Sequence, residues 1–436
     1  MHNPELRRLQ VSTAATSLGK WAFTLALGIY AFREGGAAAV GLVALMQAIP
    51  SALAAPMMGL LGDRFSRQRV LLITNTVRAL LLVAIAICVI SELPLAVIFA
   101  FAIAFSIVST ANQPARAALI PVLAHTPREV SSATAVMGAI DTASFLIGAG
   151  LGAVLLAETS VAFVIGLCGL TYAVAALMIL GIPRDARPTQ RHHERPLAAL
   201  AAGFESVIAH HQLRLAIGLL AALSVFDGLT NVLVIVTAIE LLNTGTAGIG
   251  YLNIAYGIGG LLGGAAAFSL LNISRLTLAI GLGSVAMGVP LALLGAKPSE
   301  LFGLLAWAGC GFGFVAIKVS GLTLVQRLSG DRVLARVLAV VETTFVASIG
   351  LGAILAPVLI SLFDLTGALV VTGAFLPLVV ALRWNALRKL ELGSPVPRRE
   401  FELLRECSVF SPLPLATVES LALRVEHVAI EVGEQI

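Results

Sequence analysis

Twelve runs of apolar residues, each long enough to cross a lipid bilayer, occupy most of this chain: about 9–32, 38–61, 70–91, 94–114, 130–157, 160–182, 213–242, 246–271, 274–296, 299–326, 333–362 and 366–387. A backbone inside hydrocarbon must satisfy its own N–H and C=O groups, and runs of this length do so as helices. The chain is therefore expected to be an all-α membrane protein with twelve transmembrane helices. Composition agrees: 58% of the 436 residues are hydrophobic and 12% are charged, about half the charge of a soluble domain. The 41 glycines suit helices that pack closely in lipid.

Loop charge sets the orientation. With the N-terminus in the cytoplasm, Arg7, Arg8, Arg64, Arg67, Arg69, Arg128, Arg184, Arg187, Arg191, Arg195, Arg275, Arg327, Arg332, Arg388 and Lys389 fall on the cytoplasmic side. Only Arg33 and Lys297 fall on the other. This is the positive-inside bias, and it puts both ends of the chain in the cytoplasm of a cell-membrane, multi-pass protein. "MHNPELRR" leads into a run longer than a signal-peptide core, so the first helix is expected to remain as an anchor.

The polar stretch "PRDARPTQRHHERP" divides the runs six and six. Four segments result: an N-terminal half (1–182), a linker with an amphipathic helix (183–212), a C-terminal half (213–390) and a soluble tail (391–436). The halves repeat weakly. A shift of 202 carries Gly148 onto Gly350, Gly150 onto Gly352 and Arg116 onto Lys318; a shift of 209 carries Gly41 onto Gly250 and Asp63 onto Asn272. Parallel repeats of this kind place a substrate path between the halves near the midplane.

Between the second and third runs stands "GLLGDRFSRQRVLL". Gly59, Leu61, Asp63, Arg64 and Arg67 match G-x-L-x-D-R-x-G-R-[RK], so the stretch resembles the signature of the major facilitator superfamily; Ser66 and Gln68 depart from it. "ANQPARAALIPVLAHTPREVSSATA" is similar to a bacterial exporter branch that includes siderophore exporters and lysophospholipid transporters. The resemblance covers about residues 5–390. It implies alternating access and a gate built from Gly59, Asp63, Arg64, Arg67 and Arg116, in which Asp63 meets the helix beginning near Asp331–Val333. It also implies that Lys20, Asn112, Gln113, Asp227 and Asn231 line the cavity.

Ionisable groups inside a span are costly, at least about 2.5 kcal/mol on insertion scales, and so point to function. Lys20, Asp141, Asp227, Lys318 and Glu342 are such groups. Asp141 lies 11 residues past Val130, about 16 Å into a core about 30 Å thick. Glu342 lies one residue from its repeat position. Carboxyls withdrawn from water favour the neutral form and can exchange protons near neutral pH, so Asp141, Asp227 and Glu342 are proton-coupling candidates. Lys20 with Asp227, or Arg116 with Asp141, could instead be fixed structural pairs, and Asn112 and Gln113 could serve as interhelical hydrogen-bonding groups.

The expected activity is proton-coupled export of an amphipathic small molecule, not enzymatic chemistry. A lysophospholipid or lipid flippase is the alternative within transport. Small molecule, protons and bilayer are the partners; no nucleic acid is indicated. Catalytic, cofactor and metal residues are not suggested: His192-His193 and His210-His211 lack ligand spacing. The tail "LLRECSVFSPLPLATVESLA…VGEQI" resembles the start of a cyclic-nucleotide-binding domain, with a strand from about Val425. A nucleotide would be a partner only if the native chain extends beyond Ile436, and a cyclic-nucleotide-regulated sensor is the reading from another class.

Overall fold

The computed structural model describes residues 3–183, 196–271, 276–329, 331–392 and 398–407, with 409–410, 418, 421–422 and 425 of the tail. Regular structure among them is helical: α1 (Pro4–Arg64), α2 (Arg67–Ile90), α3 (Leu95–Ser109), α4 (Asn112–Leu123), α5 (Pro127–Glu158), α6 (Val161–Leu180), α7 (Pro196–Ala209), α8 (His211–Val236), α9 (Gly245–Leu271), α10 (Leu276–Ala296), α11 (Glu300–Leu328), α12 (Asp331–Leu392) and α13 (Arg398–Glu406). A π-helical turn, Thr237–Leu241, extends α8. The strand expected from about Val425, like the rest of the tail's domain resemblance, lies largely outside the described residues.

Helices α1 and α12 have 61 and 62 residues, about 90 Å each if straight, three times a hydrocarbon core. Each reverses once and supplies two spans. The turn in α1 falls at Gly36 (φ 62°, ψ −160°) and that in α12 at Asp364 (φ 58°, ψ 176°). Only glycine adopts this region without strain. Counting the arms separately, spans 1 and 2 are residues 4–34 and 37–64, and spans 11 and 12 are 331–363 and 365–392. Twelve crossings result among the described residues.

Span 4, expected as one run over 94–114, is two helices. It breaks at Thr110–Ala111 and resumes as α4, ending at Leu123. Pro114 is the physical reason. It cannot donate to the Thr110 carbonyl, and its ring crowds that carbonyl, so a continuous helix fails one turn before it. Sharp starts elsewhere come from caps. The Thr126 hydroxyl accepts from the Glu129 N–H while the Glu129 carboxylate accepts from the His125 N–H at 2.8 Å, opening α5.

Spans 1–6 pack as one bundle and spans 7–12 as another, and one apolar core runs through both. The seam between the bundles is lined with glycine. A methyl placed on Gly41 of span 2 would strike the Ala353 carbonyl of span 11, and Gly350 of span 11 faces Leu45 and Ala48 of span 2. Gly150 of span 5 faces Ile254 of span 8, Gly250 of span 8 abuts Ala153 of span 5, and Gly28 of span 1 meets Ile235 of span 7. These approaches all lie in the half of the membrane away from the N-terminus. The far side is therefore closed; the near side is the one that holds the N-terminus and the α2, α5 and α8 starts.

The same glycines correct the internal register of spans 5 and 11. Gly150 and Gly350 both reach across the seam, whereas Gly152 and Gly352 both face the first span of their own half, at Ala22 and at Val225. Equivalent positions are thus 200 residues apart, not 202. Phe345 then stands where Phe145 stands in the first half, Val341 stands where Asp141 stands, and Glu342 matches Thr142.

Helix α7 lies against the near-side end of span 11, where Gly203 leaves room for the Arg336 carbonyl. Between them opens a shallow groove of about 270 Å³ lined by Phe204, Thr343, Thr344, Ala347, Ser348 and Leu351.

Candidate functional site

The break in span 4 frees α4 to carry Arg116 against span 5. The Arg116 guanidinium donates to both carboxylate oxygens of Asp141, at 3.0 and 3.5 Å, and the Ser17 hydroxyl of span 1 donates to the same carboxylate at 2.5 Å. Three spans therefore meet on one acid. The pair is not sealed: side-chain exposure is 18% for Arg116 and 42% for Asp141. Of the pairings open to sequence reasoning, Arg116 with Asp141 is the one formed.

Asp227 of span 7 accepts from the Tyr256 hydroxyl of span 8 at 3.3 Å and lies in the field of Lys318 of span 10. Asn231, one turn on, is exposed and donates to the Asp227 backbone carbonyl at 2.8 Å. Lys20 is exposed on span 1, yet Asp141, Lys318, Arg78 and Arg116 all act on its charge. Charges from both halves around one exposed side chain place Lys20 in the space between the halves, not against lipid.

Both lysines rest on aromatic faces. Lys20 lies 4.8 Å from the centroid of Trp21, and Lys318 lies 4.5 Å from Phe345 and 5.5 Å from Phe314. Such contacts hold a cation for about 0.5–2 kcal/mol, less than a carboxylate in the same place supplies. Between the lysines the rings continue from one half to the other: Trp21 to Phe145 at 4.6 Å, Phe145 to Tyr256 at 5.5 Å, then Tyr256 to Phe314 and Phe314 to Phe345, each at 6.3 Å.

The first half also holds a buried charged group that the sequence reading passed over. Arg78 of α2 is 4% exposed. It donates to the Asn75 side chain at 2.5 Å and to the Thr74 carbonyl at 3.3 Å, and it lies 4.6 Å from the Tyr172 ring. Asn112, at the start of α4, donates to the same Asn75 oxygen at 3.3 Å. The cluster ties α2 to the restart of span 4. Its signal was present as a polar stripe, Thr74, Asn75 and Arg78, at helical spacing on one face.

The remaining candidates sit apart. Gln113 is exposed at the α4 start. Glu342 is also exposed, and among the described residues it has no hydrogen-bond or ion-pair partner. It flanks the groove beneath α7, not the Asp141 cluster. The side chains of Asp63 and Arg64, the surroundings of Gly59, and the side chains of Asp331–Val333 lie outside the described residues, as does Asn272. Arg67 is half-buried at the start of α2.

Glycine pairs inside the halves serve packing. Gly148 and Gly152 face Leu18, Trp21 and Ala22 of span 1, and Gly260 and Gly264 face Val315 of span 10.

The comparisons with known proteins give a family and a fold. The profile described as Major Facilitator Superfamily matches residues 9–344. The "Uncharacterized MFS-type transporter YfiS" of Bacillus subtilis (strain 168) is 30% identical over 185 residues, 42% of this chain and 43% of that protein. The match thus spans less than half the length of that curated relative. Among solved structures, the nucleoside transporter NupG superposes with a TM-score of 0.73 at 13% identity, covering 89% of this chain and 100% of that one. A POT family transporter superposes with a TM-score of 0.71 at 13% identity, covering 88% and 96%. At such identities the likeness is one of fold.

Proposed function

The chain belongs to the Major Facilitator Superfamily, a family of membrane transporters, and on that premise we propose that it carries an amphipathic small molecule across the cell membrane by alternating access, coupled to protons on Asp141 and Asp227. The observation that carries this reading is the shared setting of the two acids: each has a cation from another span acting on it, Arg116 at 3.0 Å for Asp141 and Lys318 for Asp227. A proton on Asp141 would remove the charge that holds Arg116 and would loosen spans 1, 4 and 5 from one another. That is a change of packing driven by a change of charge, which is what coupling requires. The aromatic strip supplies an apolar floor for the rest of the substrate.

The positive-inside bias of the loops supports a cytoplasmic near side, which makes the closed far side the outer one. Export is the direction that the exporter-branch resemblance implies. Glu342, outside the cluster, is not assigned a coupling role. Lipid transport, the second reading, draws on the apolar-lined groove between α7 and span 11.

Proteoliposomes holding a luminal pH dye test the proposal. A gradient of at least one of two permanently charged naphthyl probes, an anion (naphthalene-2-sulfonate) or a cation ((2-naphthylmethyl)trimethylammonium), should drive protons across with the native chain. Asp141→Asn and Asp227→Asn should abolish that movement. Probe flux with no proton movement would remove the coupling claim, and proton movement that persists in both variants would remove the assignment of the acids.

A further inference from the structure

We propose that the space between the halves binds an organic oxyanion, whose carboxylate, sulfonate or phosphate bridges Lys20 and Lys318 while its apolar body lies along the strip of aromatic rings. The proposal deepens the transporter reading and rests on it. Three observations carry it.

The first is the charge balance. Lys20, Arg78, Arg116 and Lys318 face or back this space, against Asp141 and Asp227 among the described residues. Cations exceed carboxylates by two inside the membrane, where an uncompensated charge is costly.

The second is the broken symmetry. In the first half Arg116 has Asp141 as its partner. In the second half the position equivalent to Asp141 is Val341, which is buried. Lys318 rests on ring faces, with no carboxylate hydrogen-bonded or ion-paired to it among the described residues. Asp227, its nearest acid by field, is engaged by Tyr256. An oxyanion supplies the missing partner.

The third is placement. One lysine belongs to each half, and their charges act on each other. Empty, the pair repels, which favours halves that stand apart around the lysines. Bridged, it attracts, so loading itself would draw the halves together. The rings from Trp21 to Phe345 span the same interval.

The groups facing each lysine set the pH dependence. Asp141, Arg78 and Arg116 face Lys20; Asp227 faces Lys318, with Tyr256, Asn231 and Cys310 around that acid. Oxyanion and carboxylate compete for the same cations. A proton on Asp141 or Asp227 removes the competitor, so proton and oxyanion bind together. The coupling is then cotransport, the reverse of the exchange that the exporter resemblance implies.

The test is equilibrium binding to the full chain in lipid nanodiscs, with naphthalene-2-sulfonate, 2-naphthyl phosphate and 2-naphthoate as anions. Naphthalene-2-sulfonamide and (2-naphthylmethyl)trimethylammonium are the neutral and cationic controls of like shape. At least one anion should bind about tenfold or more tightly than the neutral probe. Lys20→Gln and Lys318→Gln should each erase that advantage, Lys318→Arg should keep most of it, and neutral-probe affinity should not move. Sulfonate binding should tighten as pH falls. If no anion outbinds the sulfonamide, if the cation binds best, or if both glutamine variants keep the advantage, the site assignment is overturned. Cation-driven proton movement in proteoliposomes, with no anion preference, would sink this proposal and leave the transporter reading standing. Anion binding without flux of any probe would do the opposite.

Discussion

Replacing Gly41 with leucine should drive the transporter out of the state seen here. The first carbon added at Gly41 already runs into the Ala353 carbonyl and comes within 3.2 Å of the Pro357 ring. Neither is a flexible side-chain end that can swing away, so the rest of the leucine must push span 2 off span 11. Overpacking of this kind costs about 1–3 kcal/mol, and the cost applies only while the far side is closed. The equilibrium should therefore shift toward the far-side-open form by roughly 5- to 150-fold. Spin labels at Glu92 and Lys297, exposed far-side loop positions in opposite halves, would report it by pulsed electron resonance as a longer distance. Gly218→Leu is the control: it makes the same exchange on span 7, where nothing lies within 4 Å. An unchanged distance in a folded Gly41→Leu protein would refute the claim that this seam holds the far side shut.

Arg78→Leu should lower the melting temperature in detergent. It strips the Asn75 and Tyr172 cluster of its donor and leaves a buried amide short of a partner, a loss of about 1–3 kcal/mol; an unchanged melting point would mean that the cluster is not structural. Asp364→Gly should raise thermal stability by about 1 kcal/mol, because it places glycine where the backbone already has φ 58° and ψ 176°, the conformation Gly36 takes at the other reversal. Glu342→Gln should leave proton-coupled flux within twofold of native, and a large loss there would return that acid to the coupling path.

The apolar runs made the span count legible, since length and composition alone decide whether a helix can cross a bilayer. The break in span 4 was written in Pro114, but a hydropathy window averages over a single proline. Depth could also be counted along a helix, and that is why Asp141, Asp227 and Glu342 stood together as candidates. Azimuth could not be counted: one residue turns a helix by about 100°, enough to take Glu342 away from the cluster. The repeat suffered from the same sensitivity. Glycines two residues apart align equally well by eye at 202 or 200, and only their contacts, across the seam or into their own half, separate the two. Arg78 was missed because a lone cation in an apolar run reads as an edge charge until its Thr74–Asn75 neighbours are seen as one face.

Luminal pH recorded during probe-driven flux tests the central claim most directly. In proteoliposomes of the native chain, a naphthalene-2-sulfonate gradient should move protons in the same direction as the sulfonate, and Asp227→Asn should end that movement while sulfonate binding remains. Sulfonate crossing with a flat pH trace in the native protein, or an Asp227→Asn trace that matches the native one, would contradict an account in which Asp227 carries the proton beside Lys318.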